Sequence, residues 1–232
     1  MNLTKQSKNA LIGLGVFILY FIYSSCQLIP LQLLGINYNQ MTLTSKVIYL
    51  LLYEFIFIII LFLIYRKKFT NDFKKYIKKF KTYIMEYMEY WALAFGLMII
   101  SNMVITGILP DSVATNQEIL NSTFDKSPLY MIISACLFAP FIEETIFRLS
   151  IRNMFKNDTL FIIISGFIFG SLHVIGSSTR WMDLAYFIPY SIPGFIFAYT
   201  LVKSKNIFVP MSLHLFHNSL MIFIQIISTF LI

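Results

Sequence analysis

Residues 47–65 read VIYLLLYEFIFIIILFLIY, an apolar run with Glu54 as its single ionisable group and no proline or glycine to interrupt a helix. A helix rising about 1.5 Å per residue crosses the hydrocarbon core of a bilayer in roughly 20 such residues, so the stretch predicts a transmembrane helix. Arg66, Lys67 and Lys68 follow at once, as at the cytoplasmic edge of a span. Comparable runs lie on either side, at 10–29, 90–109, 129–148, 160–175, 184–202 and 207–232. The predicted fold is therefore all-α, a polytopic membrane helix bundle of about seven to eight transmembrane helices, forming a single integral membrane domain over residues 1–232. Seven spans is the direct count. Pro189, Pro193 and Gly194 in the sixth run and Pro210 in the last leave room for an eighth span or a re-entrant piece.

The composition agrees. Hydrophobic residues make up 58% of the 232 and charged residues only 12%, with a mean hydropathy of +0.74, which excludes an ordinary soluble enzyme, a disordered segment and a disulfide-stapled secreted module. The first run follows Lys5 and Lys8 as a signal peptide would, but it is long and lacks a small-residue cleavage site, so it reads as a retained span. Cys26 and Cys136 fall inside apolar runs without metal-type spacing and read as packing residues.

The net charge of +7 does not imply nucleic acid as a partner. With the N-terminus in the cytoplasm, every lysine and arginine except Lys46, Lys126 and Arg180 falls in an inside loop or at an inside span end, as the positive-inside rule demands. A multi-pass protein of the cell membrane with a cytoplasmic N-terminus is expected, with the lipid bilayer as its first partner. In the basic stretch after the second span, Phe69, Phe73, Tyr76, Phe80 and Ile84 recur at helical spacing while Lys74, Lys75, Lys78, Lys79 and Lys81 occupy other faces. This predicts an amphipathic helix along the inner leaflet, the alternative being a solvated loop that only fixes topology.

An ionisable group inside the bilayer costs about 2.5–3.5 kcal/mol even on the gentler insertion scale, so such groups have partners or functions. Here they are Glu54, Glu143, Glu144, His173, His214 and His217, with Asn218 as a polar neighbour. In FIEETIFR, residues 141–148, Glu144 and Arg148 stand one turn apart and can pair. Glu143 is left without a local counter-ion: either a general base or a snorkelling acid beside a structural clamp. Gly166, Gly170 and His173 share one helix face; the glycines admit a neighbouring helix, turning His173 into protein. If the fourth and fifth spans form a hairpin near residues 156–159, Glu143 and His173 both lie about 20 Å from the turn, at one depth. In PMSLHLFHNSL, residues 210–220, His214 and Asn218 share a face at i, i+4, whereas His217 is displaced around the helix but remains close enough to matter. Glu54 reads as an interhelical partner or cavity-lining group; a proton-relay transporter built on it lacks the expected inverted repeat.

Taken in order, EExxxR (Glu143, Glu144, Arg148), FxxxH (Phe169, His173) and HxxxN (His214, Asn218) resemble the three motifs of the CAAX-processing and bacteriocin-processing (CPBP, or Abi) family of intramembrane proteases, which includes the Ras-converting type of CAAX endopeptidase. The resemblance covers residues 128–232. It implies peptide-bond hydrolysis near the cytoplasmic side of a membrane. Glu143 would activate a water, His173 would help to hold it, and His214 with Asn218 would stabilise the oxyanion; Glu144, Arg148 and Phe169 would support them. Members are commonly described as metalloproteases, and a zinc ion could use Glu143, His173 and His214, but without an HExxH helix the favoured mechanism needs no cofactor. The implied substrate is a small membrane-associated peptide or protein, as in peptide pheromone or bacteriocin maturation or in self-immunity. The competing function is a non-proteolytic scaffold or bacteriocin-immunity protein that binds a peptide or partner in the same cavity.

Overall fold

The fold is described from a computed structural model, covering residues 4–112, 114–175, 177–178 and 180–231, with side chains to residue 228; the last residue of the final predicted span lies outside this set. Among the described residues there is no strand. The principal helices are α1 (Lys5–Ser25), α2 (Leu43–Lys78), α3 (Phe80–Ile108), α4 (Thr115–Lys126), α5 (Pro128–Met154), α6 (Asp158–Val174), α7 (Phe187–Ser204, entered through a 3₁₀ turn at Trp181–Tyr186) and α8 (Phe208–Leu231). Six of the predicted spans become helices long and apolar enough to cross a membrane; the fifth, α6, is apolar but only 17 residues long. Large apolar side chains such as Leu63, Leu93, Ile100 and Phe223 face outward, which is the surface a bilayer solvates.

The prolines do not divide the sixth and seventh runs. Pro193 lies inside a continuous α7, and Pro210 occupies the first turn of α8, where the missing N–H is unneeded. No eighth apolar helix of comparable length appears among the described residues. The hairpin between α5 and α6 turns at 155–157, as its spacing predicts.

The basic stretch is helical but is not a free interfacial helix. It continues α2 beyond a break at Tyr65 (φ −102°, ψ 15°). Phe69 and Tyr76 are buried, with Phe69 packed on Phe141 and both rings meeting Phe208, while Phe73 and Phe80 remain half exposed. Asp72, only 3% exposed, explains the difference. Its Oδ2 accepts the Ile207 N–H at 3.0 Å and pairs with Lys68 Nζ at 2.7 Å, and its carbonyl accepts from Asn206 Nδ2 at 2.8 Å. A carboxylate at this position satisfies a donor that the start of α8 leaves free, so the extension is latched to the α7–α8 turn.

The main core lies toward the basic end of the bundle, where Leu61, Ile146, Ile151, Phe161 and Ile207 have no exposure at all. Two close crossings shape it. A Cβ on Gly166 would strike the Phe195 ring, and one on Gly170 would meet Ser191, including its Cα at 2.9 Å. The predicted small-residue face of α6 thus receives α7. Gly13 of α1 similarly lies against the Ser150 carbonyl of α5.

Candidate active site

The local geometry of α5 positions the acids. Two stretches of this helix, Ser134–Phe138 and Glu144–Ser150, are π-helical, an irregularity that frequently accompanies functional sites. Proline gives the first a cause. In the wider turn the Ala139 N–H reaches the Ser134 carbonyl, so the Ala135 carbonyl falls to residue 140, a proline without N–H. Asn218 of α8 supplies the missing donor, its Nδ2 lying 2.8 Å from Ala135 O. The second π turn holds Glu144, Thr145 and Arg148 at zero exposure, and its Ser150 hydroxyl donates five residues back to the Thr145 carbonyl at 3.0 Å.

From that turn a row of charge crosses the bundle. Arg148 Nε lies 3.1 Å from Glu144 Oε2, and the guanidinium carbon sits 4.4 Å above the Phe169 ring and 5.6 Å from that of Phe197. Aromatic faces compensate part of the cost of burying a cation. Glu144 Oε1 is 2.8 Å from His214 Nδ1, and His214 Nε2 is 3.8 Å from Glu143 Oε2. Bonding to an acceptor-only carboxylate places a proton on His214 Nδ1 and directs Nε2 toward Glu143. Phe197 stacks on the imidazole with centroids 5.1 Å apart.

His173 approaches from α6. Its Nδ1 lies 2.8 Å from the Phe169 carbonyl, which assigns the proton to Nδ1, and its ring lies 4.5 Å from Phe169 and stacks on Tyr190 at 5.2 Å. Phe169 therefore touches His173, His214 and Arg148 together.

Glu143, His173, His214 and Asn218, proposed from three separated motifs, all line one cavity of about 540 Å³. His217, ranked behind His214 and Asn218 for its displacement on the helix, lines it too, held edge-on to Trp91 and Phe95. Its signal was the short i, i+3 step from His214. Tyr190 and Phe197 are further contributors that polar motifs alone did not identify. Glu54 does not join this group. Its Oε1 accepts from the Tyr130 hydroxyl at 2.8 Å, and it lines a second cavity of about 270 Å³ that also reaches Glu143.

The zinc set of Glu143, His173 and His214 does not converge: among the described residues no three histidine, cysteine, aspartate or glutamate side chains gather as ligands for one ion. Glu144, the remaining acid, is already committed to Arg148 and His214. No step is accordingly routed through a metal.

Comparison with known proteins connects this arrangement to peptidases. Residues 125–220 match the family model described as type II CAAX prenyl endopeptidase Rce1-like. The chain is 28% identical over 145 residues to the "Putative membrane peptidase YdiL" of Bacillus subtilis (strain 168), covering 59% of this chain and 56%, little more than half, of that protein. It is 28% identical over 226 residues to the "Membrane-embedded CAAX protease MroQ" of Staphylococcus aureus (strain USA300), covering 89% and 87% of the two chains. The "UPF0177 protein YvdC" of Lactococcus lactis subsp. lactis (strain IL1403) is 24% identical over 206 residues, covering 88% and 75%. No solved structure matches.

Proposed function

We propose that this chain, a member of the CPBP family of membrane proteases through its Rce1-like segment, is an intramembrane endopeptidase that hydrolyses a small membrane-associated peptide or protein. The observation that carries the reading is the convergence of Glu143, His173, His214 and Asn218, from three helices, on one cavity inside an apolar bundle.

In this reading Glu143 takes a proton from a water, and the resulting hydroxide adds to the scissile carbonyl carbon. His173, with its proton on Nδ1, accepts a hydrogen of that water at Nε2 and fixes its position. The second Nδ2 hydrogen of Asn218, the first being bound to Ala135, donates to the oxyanion, joined by His214. Glu143 then returns its proton to the leaving amine as the C–N bond breaks, and one water is consumed per bond. Glu144 and Arg148 position His214 without touching substrate, and no metal takes part. The distribution of basic residues supports a cytoplasmic N-terminus in a cell-membrane protein.

Hydrolysis leaves an isotopic record. Membranes containing the protein, incubated in H₂¹⁸O with the membrane-peptide fraction of the same cells, should yield peptides whose new C-terminal carboxylate carries ¹⁸O. A peptide that binds tightly yet gains no new terminus would favour the scaffold reading.

A further inference from the structure

The site is open at one end of the bundle and closed at the other, and the closed end is the basic one. The cavity-lining residues form stripes that run away from the acids. On α5 they are Ala139, Ala135 and Met131, a turn apart each, ending about 18 Å from Glu143 at about 1.5 Å per residue. On α8 they continue from His214 through Asn218 and Met221 to Gln225, and on α3 through Met98 and Asn102 to Thr106. On α3 the stripe ends at exposed Thr106, beside the α3–α4 connection, whereas His214, Phe197 and Phe169 at the inner end are buried.

Toward the other end the described residues are closely packed. The next turns of α5, α7 and α8 carry Ile146, Leu149, Ile151, Leu201, Val209 and Leu213, none more than 5% exposed. Beyond them lie Lys203, Lys205 and the basic extension of α2, latched across the α7–α8 turn through Asp72. The second cavity approaches Glu143 from the open end as well, since it is lined by Ser24 and Gln27 at the finish of α1 and by Tyr53 and Glu54 in the half of α2 remote from the basic extension.

We propose that substrate reaches Glu143 from the side opposite the basic face, so that the protein cleaves a peptide segment already displayed on the outer surface of the membrane. The inference rests on the endopeptidase reading and on a cytoplasmic basic face, assigns the substrate class, and departs from the cytoplasmic-side hydrolysis that the family resemblance implies. Apart from Glu143 and the histidines, the main cavity is lined by no charged side chain. Its outer part offers Asn102, Thr106, Asn116 and Gln117 among apolar Met98 and Met131. Amide side chains both donate and accept, as an extended peptide backbone requires, and methionines adapt to varied apolar side chains. An uncharged, extended segment fits this lining, and an export or translocation step must precede cleavage.

The direction of access can be measured without proteolysis. In the full-length chain carrying Cys26→Ser and Cys136→Ala, which removes both native cysteines, single cysteines are placed at Thr106 on the rim, Met221 in the wall and Lys78 on the basic face, and intact cells are treated with a small membrane-impermeant thiol reagent. Thr106→Cys and Met221→Cys are expected to react from outside, and Lys78→Cys only after the membrane is permeabilised. Reaction of Met221→Cys only in permeabilised cells or inverted vesicles would overturn the proposal, whatever the proteolytic activity. External labelling with no peptide cleaved would preserve the direction of access and count against the endopeptidase reading alone.

Discussion

His214 Nδ1 lies 2.8 Å from Glu144 Oε1, inside a protein region where neither side chain is more than 5% exposed. The second oxygen of the same carboxylate serves Arg148. Glu144 therefore sets the orientation of an imidazole with one atom and neutralises a buried cation with the other, which gives its loss two separable consequences.

Glu144→Gln can still accept from His214 but leaves Arg148 without its counter-charge. Breaking a buried pair from one side costs about 3–5 kcal/mol, so the unfolding midpoint in detergent should fall together with activity. Adding Arg148→Met should restore much of the stability without restoring full cleavage. An unchanged midpoint in the single variant would show that the pair does not carry this load.

Pro140 and Asn218 act through one carbonyl. Pro140→Ala supplies an N–H that can satisfy Ala135 O and compete with Asn218, so cleavage should fall while stability is unchanged or rises. Asn218→Ala should lower kcat by about 10²–10³, the usual loss for one oxyanion donor, with little change in KM. The double variant should be no worse than Asn218→Ala alone; additive losses would separate the two residues.

The approach of α6 to α7 fixes Phe169 and His173. Gly170→Leu forces a side chain against Ser191 and should cost about 1–3 kcal/mol by overpacking, with a larger loss of cleavage because His173 moves with the helix. Gly96→Leu, where a Cβ has no neighbour within 4 Å, is the matched control and should be close to neutral.

Chelators test the chemistry from another direction. Extended treatment with EDTA or phenanthroline should leave the cleavage rate unchanged, because no three ligands converge among the described residues. Loss of cleavage that returns with added zinc would overturn the metal-free mechanism.

Much of this was legible in the sequence because the bilayer enforces it. An apolar run such as 47–65 has little alternative to a helix, and Glu144 with Arg148, or His214 with Asn218, can be paired by spacing alone. The π turns were not legible: EETIFRLS reads equally as α-helix, and Pro140 signals an irregularity without saying which carbonyl it frees or who satisfies it. Asp72 lies in a lysine-rich stretch, where nothing in the sequence distinguishes it from a solvated charge, and only the return of the α7–α8 turn to that point makes it a cap. Helix-face geometry ranks His217 behind His214 and Asn218, and cannot register that a cavity is wide enough to reach around the helix. The proposed direction of access rests on where α5, α7 and α8 pack closed, a property of tertiary packing.

The most direct test of the central claim is a comparative peptide inventory, by mass spectrometry of membranes and medium, from cells carrying the intact protein or Glu143→Gln at matched membrane levels. Peptides that lose a terminus only in cells with the intact protein are expected. Identical processing by both forms, with Glu143→Gln correctly inserted and folded, would contradict Glu143 as the base and with it the account of the site.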